Sequence, residues 1–398
     1  MGQTVDLKQG ISRMIIKVLN LISSPFGLGG AEKLLLDLHE FYDRQMFEVH
    51  YCNLFDSPSN PSAFSGVLKE RGLSVFEVAG HRWYDLPGIV SRLGSLIRAN
   101  EFDIVHSHLF YSSLIAGISK KLRPSKSKMV ITQHYTRSAL GANYQKKLDR
   151  YGVRAADAVI AISSAVKSDL IDQGVEENRI TVIPNGIDLP KFLQEAKKEN
   201  HTLDDLKKRG KIIIGSIGNL HKRKDHLTLI KTMAMVVKAN PKVHLVIAGE
   251  GPERVALEKA ILELRLQESV SILGFQENIP SLISQFDLYV HPSINEPFGI
   301  AILEAMAATK IVIATRVDGV VDILDQGVTG LLVTAADPID LSNCIIAALK
   351  DPVAMVKIAQ SGRAKVEADF GIETTAVRYQ GVYEGLVHAY IAPTEQTE

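Results

Sequence analysis

Short apolar runs alternate with amphipathic stretches along almost the whole chain of 398 residues. The runs that predict β-strands are residues 15–22, 47–52, 104–106, 129–132, 158–162, 181–183, 212–217, 243–248, 270–273, 288–291, 311–314 and 330–333. Between them, apolar residues recur at helical spacing, as in residues 31–42, where Leu34, Leu35 and Leu38 share a face. Strands that are apolar throughout are buried on both faces, and their alternation with helices is typical of parallel sheets. The pattern predicts an α/β fold with two doubly wound, Rossmann-like domains.

A polar, lysine-rich stretch with no strand pattern, residues 191–210, separates two series of strands. It predicts an N-terminal Rossmann-like domain over residues 1–190, a linker over residues 191–210 and a second Rossmann-like domain over residues 211–374. The last segment, residues 375–398, continues a region that is mostly helical. Ligands of doubly wound folds bind at the carboxyl ends of the strands, so we expect the two domains to face each other across a binding cleft.

Composition narrows the function class and the compartment. The chain has 45 Lys+Arg and 45 Asp+Glu, so its formal net charge is zero, which argues against a protein that binds nucleic acid through a global positive field. Two cysteines, Cys52 and Cys344, are too few for a disulfide framework or a cysteine-based zinc site and indicate a reducing compartment. No apolar run is long enough to span a membrane, and we expect a cytoplasmic protein.

Three loops that follow predicted strands contain residue types that suit a phosphate-bearing ligand. Gly29 and Gly30 come directly before a helix, where glycine lets the backbone approach a ligand and the helix N-terminus favours an anion. The loop at 218–224 is rich in cations, including Arg223 and Lys224, and residues 249–251 are a Gly-Glu-Gly turn. Each of these loops, taken alone, is equally well explained as an ordinary turn.

The most informative segment is residues 291–307, in which a strand, a polar loop and an apolar helix follow one another. Glu304 lies inside the otherwise apolar helix, where a carboxylate is costly unless it is paired or binds a ligand. The backbone amides of Phe298, Gly299 and Ile300 would form an anion site at the start of that helix. Glu296 and Glu304 could then bind hydroxyl groups on either side of a diphosphate.

These motifs together resemble those of a family 4 glycosyltransferase, of the group 1 type, with the GT-B fold. The resemblance extends from about residue 15 to residue 390, and the motifs occur in the family's order. They are the Glu-x7-Glu motif from Glu296 to Glu304, Gly-Gly-Ala-Glu at 29–32, and residues 182–188, 249–252 and 327–332.

The resemblance implies transfer of a hexose-type sugar from a nucleotide diphosphate sugar with retention of anomeric configuration. By position, Lys224 matches the lysine that neutralises the donor diphosphate, and Glu296 matches the glutamate at the transferred sugar. His134 matches a histidine near the reacting sugar. The resemblance also implies that the final helical segment, within residues 375–398, crosses back to the first domain.

The resemblance assigns further residues to donor binding, with Glu304 at the nucleotide ribose and Gly29 and Gly30 in the loop that closes over the diphosphate. The remaining positions of this expected donor site are Asn219, Arg223, Gly249, Glu250, Gly251, Phe298, Gly299 and Ile300. Two positions depart from the family pattern. Many relatives have arginine where this chain has the uncharged Asn219, and relatives usually have glycine where this chain has Asp318. Both departures bear on donor affinity or donor choice.

No Asp-x-Asp motif occurs in the chain, so we expect no metal and no cofactor, with the nucleotide diphosphate sugar as co-substrate. Our hypothesis is that the diphosphate leaves and the acceptor attacks on the same face of the sugar. The acceptor would be a glycan or a lipid-linked molecule in cell-surface polysaccharide or glycoconjugate biosynthesis. A nucleotide-sugar epimerase and a non-catalytic nucleotide-sugar binder remain open as alternatives.

Residues 120–154 hold ten Lys/Arg and one acid, Asp149. This basic segment lies in the first domain, which the resemblance assigns to the acceptor. It is either a solvated helix face or a surface for an anionic partner, such as a membrane or a lipid-phosphate-linked acceptor. Peripheral contact with the cytoplasmic face of a membrane is therefore one expectation.

Overall fold

The computed structural model describes residues 15–23, 29–54, 62–78, 85–140 and 142–391. These residues contain two β-sheets, of seven and six strands. The strands of the first sheet are β1 (Ile16–Ile22), β2 (Phe47–Asn53), β3 (Val75–Glu77), β4 (Ile104–His108), β5 (Lys128–Gln133), β6 (Ala158–Ala161) and β7 (Ile180–Val182). Those of the second are β8 (Ile212–Ile217), β9 (Val243–Ala248), β10 (Val270–Gly274), β11 (Leu288–His291), β12 (Ile311–Thr315) and β13 (Leu331–Val333).

Helices connect the strands and extend the chain beyond the last one. The helices that follow strands of the first sheet are α1 (Gly30–His39), α2 (Ala63–Glu70), α3 (Leu86–Ala99), α4 (Phe110–Leu122), α5 (Asn143–Ala155), α6 (Ser164–Asp172), α7 (Leu189–Ala196) and α8 (Asp204–Lys208). Those after β8 are α9 (His226–Ala239), α10 (Arg254–Glu263), α11 (Ile279–Ile283), α12 (Ile300–Ala307), α13 (Val320–Ile323), α14 (Pro338–Lys350), α15 (Pro352–Asp369) and α16 (Ile372–Ile391).

Both sheets have the doubly wound strand order, which confirms the fold class. The first runs β3-β2-β1-β4-β5-β6-β7 and the second runs β10-β9-β8-β11-β12-β13. The order reverses between β1 and β4 and again between β8 and β11, where the chain pairs in parallel with a strand it did not visit next. In such sheets the crevice outside the carboxyl ends of the strands at this reversal is the usual ligand site.

The apolar runs predicted the strands well, with one exception at a sheet edge. β3, the three-residue strand Val75–Glu77, was not predicted, because its side chains are only partly buried and its pairing with β2 defines it. The predicted linker, residues 191–210, forms no strand but contains the end of α7 and all of α8. After β13 the chain is helical, as expected.

The described residues form two compact units. One unit comprises Met1–Thr132, Lys147–Val159 and Val377–Glu398, and the other comprises Gln133–Lys146 and Ile160–Ala376. The domain limits predicted from the sequence, at residues 190, 210 and 374, stay a prediction. Residues 392–398 of the predicted C-terminal segment lie outside the described part of the chain.

A buried polar network joins α16 to the first sheet within the first unit. His106 of β4 shares hydrogen bonds with Tyr383 OH (2.6 Å) and with Thr132 Oγ1 (2.8 Å). Thr132 in turn contacts Tyr379 OH at 3.1 Å, and Tyr383 OH lies 3.2 Å from Tyr42 OH. Because buried polar groups need such partners, this network holds the C-terminal helix in one register on β4 and β5.

The second unit has an apolar core on both faces of its sheet. All six residues of β9 are buried. Leu229, Ile230 and Met233 of α9 belong to the same core as Leu245 and Ile247 of β9. Among the described residues, no helix is both long and apolar enough to cross a membrane.

Candidate active site

The polar residues singled out in the second half of the chain lie at the strand reversal of the second sheet. Residues 218–225 follow β8, and residues 292–299 follow its neighbour β11. The backbone N–H of Ile294 donates to the carbonyl oxygen of Arg223 at 2.9 Å, so the two loops are joined directly. Strand order therefore brings together side chains that are far apart in sequence.

Lys224 and Glu296 form a buried ion pair between these loops. Lys224 ends a 3₁₀ turn, Lys222–Lys224, and its Nζ contacts Glu296 Oε2. The two side chains are only 13% and 8% exposed. Asp225, with a left-handed φ of 46°, ends the turn and caps α9, because its carboxylate accepts from the backbone N–H of Thr228. The turn and the helix cap thus fix the direction of the lysine.

Two further side chains contact the same carboxylate oxygen. His291 Nε2 lies 2.6 Å from Glu296 Oε2, and the Ser293 hydroxyl donates to it at 3.3 Å. On the other side of the ring, Tyr289 OH is 3.2 Å from His291 Nδ1. These contacts orient a carboxylate that would otherwise be too costly to bury.

Electrostatics keep this cluster in one protonation state. Burial by itself would raise the pKa of Glu296, but the Lys224 ammonium and the His291 contact outweigh it and hold that pKa below its usual range. Burial, assisted by the Lys224 charge, lowers the pKa of His291. At neutral pH the cluster therefore holds a carboxylate, an ammonium and a neutral imidazole that donates its Nε2 proton to Glu296.

Asp318 holds the loop that carries Glu296. Its Oδ2 accepts from the backbone N–H of Glu296 at 3.0 Å and from Asn295 Nδ2 at 2.8 Å. Asn295 Nδ2 also donates to Ser138 Oγ at 3.0 Å. Asp318 adopts a left-handed φ of 36°, in which glycine would be less strained. The aspartate that departs from the family pattern thus supplies contacts that a glycine could not make.

The Gly-Glu-Gly turn after β9 packs on the loop after β8. A Cβ atom at Gly249 would overlap the carbonyl oxygen of Gly218, and one at Gly251 would overlap backbone atoms of Leu220. Leu220 N donates to the carbonyl of Glu250 at 2.9 Å. The Glu250 side chain is exposed and pairs with Arg254. The close approach that these glycines permit is therefore, in this structure, an approach to neighbouring backbone.

Helix α12 begins at Ile300, two residues after the start expected near Phe298. Gly299 caps it with a φ of 117°, a left-handed conformation that favours glycine. Phe298 is buried, with its ring 6.1 Å from that of Phe370. Glu304 is half-buried on α12, and after burial itself its charge is the largest contribution that raises the pKa of Tyr289. Glu304 and Glu296 therefore lie on two sides of one tyrosine ring.

The remaining predicted site residues are placed as follows. Asn219 is exposed and Arg223 half-buried on the loop after β8. His134 follows β5 directly, and burial lowers its pKa to about 4, so its imidazole is neutral at physiological pH. Gly29 is the N-cap of α1 and Gly30 is its first residue. These two glycines belong to the first unit and the others to the second.

Several residues of the cluster had no role in the sequence analysis. His291 and Ser293 stand in the quoted motif, but nothing in the sequence shows that they contact Glu296. His226, the first residue of α9, is also buried, and burial together with the Lys224 and His291 charges lowers its pKa to about 3. A polar residue that ends an otherwise apolar strand, as His291 does, was the available signal. Within the described ranges, no group of three or more His, Cys, Asp or Glu side chains could hold a metal ion.

Comparison with known proteins gives matches over most of the chain. The family model Glycosyltransferase Family 4 matches residues 28–191, and the model Glycosyl transferases group 1 matches residues 197–365. N-acetyl-alpha-D-glucosaminyl L-malate synthase of Bacillus anthracis is 27% identical over 303 residues, which are 75% of this chain and 79% of that protein. A phosphatidylinositol N-acetylglucosaminyltransferase of Arabidopsis thaliana is 26% identical over 263 residues, or 65% of this chain and 57% of that protein.

Solved structures agree with the architecture. The crystal structure of Anabaena HepE in complex with UDP-glucose superposes with a TM-score of 0.81 at 23% identity. The superposition covers 93% of this chain and all of HepE. At that identity the likeness establishes the fold. With one family model on each half and a doubly wound sheet in each, the chain belongs to the family 4 glycosyltransferases of the group 1 type.

Proposed function

We propose that this glycosyltransferase is a retaining, metal-independent enzyme that takes a sugar from a nucleotide diphosphate sugar. The observation that carries the proposal is the buried Lys224–Glu296 pair at the strand reversal of the second sheet. The two parts of such a donor need these two charges. A cation attracts the diphosphate, and a carboxylate accepts hydrogen bonds from sugar hydroxyl groups.

In the proposed reaction the bond between the anomeric carbon and the diphosphate oxygen breaks. The acceptor hydroxyl oxygen forms the new bond on the same face of the sugar, and its proton passes to the leaving phosphate oxygen. Lys224 and the amides at the start of α12 would stabilise the charge on the leaving diphosphate, which is an electrostatic contribution to catalysis. Glu296 would hold the transferred sugar and Glu304 the nucleotide ribose. His134 would lie near the reacting sugar.

We take a UDP-sugar as the first donor to test and a glycan or lipid-linked molecule as the acceptor class. The HepE structures contain UDP, UDP with glucose, or UDP-glucose, which supports the choice of nucleotide. The names of the Bacillus and Arabidopsis relatives refer to an N-acetylglucosaminyl group, and the Arabidopsis name also refers to phosphatidylinositol. A lipid-linked acceptor would require the basic segment, residues 120–154, to meet a membrane surface.

The test is calorimetric titration of UDP, GDP and ADP, and then of their sugars, into the protein. Lys224→Ala and Glu304→Ala should each weaken binding of the preferred nucleotide at least about tenfold, because each removes a charged hydrogen-bonding partner. The matched controls are Lys222→Ala, on the same 3₁₀ turn, and Glu263→Ala, both at exposed positions. Both controls should bind as the unmodified protein does.

Product analysis decides between the reaction types. Transfer to an acceptor with the donor's anomeric configuration is expected, and an inverted product or a trapped covalent glycosyl-enzyme would contradict the proposed step. Conversion of the donor sugar without an acceptor would indicate an epimerase. Nucleotide binding that is unaffected by both Lys224→Ala and Glu304→Ala would place the donor elsewhere.

A further inference from the structure

The two helices that carry most of the basic segment pack unusually closely in the first unit. A Cβ atom on Gly117 of α4 would lie 3.2 Å from the Cβ of Ala155. One on Gly152 of α5 would lie 3.1 Å from the backbone of Ser113. Small residues on both helices thus allow the backbones to approach, and longer side chains on either side of this contact project outward.

Those longer side chains line a groove of about 720 Å³ between α4 and α5. Five of its lining residues are cationic, namely Lys120, Lys121, Lys147, Arg150 and Arg154. The three on α5 are spaced three or four residues apart and therefore share one helix face. Lys120 donates to Asp157 Oδ2 at 2.7 Å and to the carbonyl oxygen of Ala155 at 3.1 Å, which fixes one cation at the wall of the groove.

The negative charge of the segment is turned away from this groove. Asp149, the one acid among residues 120–154, is buried and does not line it. Lys121, Lys147 and Arg150 are exposed. The groove therefore presents several cations to the solvent on a chain whose formal net charge is zero.

Large apolar side chains are exposed on the same two helices. Leu122, at the end of α4, is 65% exposed, and on α5 Leu148 is 39% and Tyr151 37% exposed. A site for a small soluble anion needs the cations but gains nothing from leucines held in water. Cations beside exposed leucine and tyrosine are instead typical of a surface that rests in the interface of a bilayer.

We propose that the α4–α5 groove binds the phosphate headgroups of an anionic phospholipid bilayer. Lys121, Lys147 and Arg150 would contact the phosphates, and Leu122, Leu148 and Tyr151 would enter the boundary between headgroups and acyl chains. This surface is independent of the sugar-transfer chemistry, because its residues lie in the first unit and the Lys224–Glu296 cluster in the second.

The experiment is co-sedimentation of the full chain with vesicles of phosphatidylcholine alone or of phosphatidylcholine mixed with phosphatidylglycerol. We expect binding to the mixed vesicles only, and weaker binding as salt is added. The triple variant Lys121→Glu, Lys147→Glu, Arg150→Glu should lose on the order of 100-fold in partitioning, since each basic residue near anionic lipid contributes several-fold. Its charge-matched control is Lys231→Glu, Lys238→Glu, Lys357→Glu, three exposed positions of the second unit, which should lose far less.

A second pair of variants tests the apolar contribution. Leu122→Ser with Leu148→Ser should weaken binding several-fold, whereas Val255→Ser with Val353→Ser, also at exposed positions, should not. If the charge reversal does not fold, the milder Lys121→Gln, Lys147→Gln, Arg150→Gln variant takes its place.

Three results would overturn the proposal. The first is no binding of the unmodified protein to the mixed vesicles, and the second is binding that the charge variants leave unchanged. The third is displacement from the vesicles by inorganic phosphate at equal phosphate concentration together with no effect of the leucine variants, which would indicate a site for a soluble anion.

Discussion

Replacing Lys224 by methionine removes the cation from a carboxylate that the fold has buried. In the native protein Glu296 Oε2 is contacted by Lys224 Nζ, His291 Nε2 and the Ser293 hydroxyl. Methionine keeps most of the volume and the apolar stem of lysine but offers no charge and no donor. The variant therefore leaves a buried carboxylate with only neutral partners.

The size of the effect follows from the burial of both partners. With side chains 13% and 8% exposed, neither group is well screened by solvent. Two unit charges about 4 Å apart attract by about 4 kcal/mol at an effective dielectric constant near 20. Removal of one partner from a buried pair typically costs about 3–5 kcal/mol. We expect a loss of this order in the free energy of unfolding, measured by urea denaturation at pH 7 and followed by circular dichroism.

The sign of the pH dependence gives a sharper check. In the native protein the pKa of Glu296 is lowered, so its stabilising contribution is present above its unfolded pKa and is lost as the pH falls through the lower, folded value. Without Lys224, burial raises the pKa of Glu296, or His291 takes up the proton instead. In either case the variant site binds one more proton than the native site as the pH falls from 7 toward 5. The stability difference between the two proteins should shrink by up to about 1.4 kcal/mol per pH unit in that range.

Two further variants make the reasoning refutable. Lys224→Met combined with Glu296→Leu replaces the pair by apolar groups and should recover most of the lost stability, since buried pairs are often replaced without cost. Lys222→Met, on the exposed part of the same turn, should change stability by less than about 0.5 kcal/mol. A loss below about 1 kcal/mol for Lys224→Met, or a difference that does not vary with pH, would show that the pair is not buried as described.

Other substitutions test the packing around the site and the attachment of α16. Gly249→Ala should cost about 3 kcal/mol in unfolding free energy, because its Cβ would overlap the carbonyl oxygen of Gly218; Gly381→Ala, on an exposed, open face of α16, should instead stabilise by about 0.5–1 kcal/mol. Tyr383→Phe should cost about 1–3 kcal/mol, since it leaves His106 Nδ1 buried without its 2.6 Å partner. Urea denaturation measures all three, and equal effects of the two glycine substitutions would contradict the close approach at Gly249.

The fold was predictable because each element is encoded locally. β9 is buried on both faces and is accordingly apolar throughout, so its sequence alone indicates a central parallel strand. β3 was missed because three partly buried residues at a sheet edge have no distinctive pattern, and the pairing with β2 makes them a strand. Helix α12 begins at Ile300 rather than Phe298 because Gly299 adopts a left-handed conformation, which composition alone does not fix.

The candidate site was predictable only in part. Motif resemblance singled out Lys224, Glu296 and Glu304, and it marked Asp318 as a departure. It gave no indication that Asp318 would accept a hydrogen bond from the backbone of Glu296, or that His291 would contact the carboxylate. Those contacts depend on loops that follow three different strands and that meet only after the sheet has formed.

By itself, then, the sequence determined the alternation of strands and helices, since the side-chain period of each element is a local property of the chain. It also determined which residue types stand at the ends of the strands. The tertiary structure decided which of them meet. Lys224 and Glu296 are 72 residues apart, and they pair because β8 lies beside β11 rather than beside β10. The protonation state of the pair was decided there as well, because the pKa of a carboxylate depends on its burial and on the charges around it.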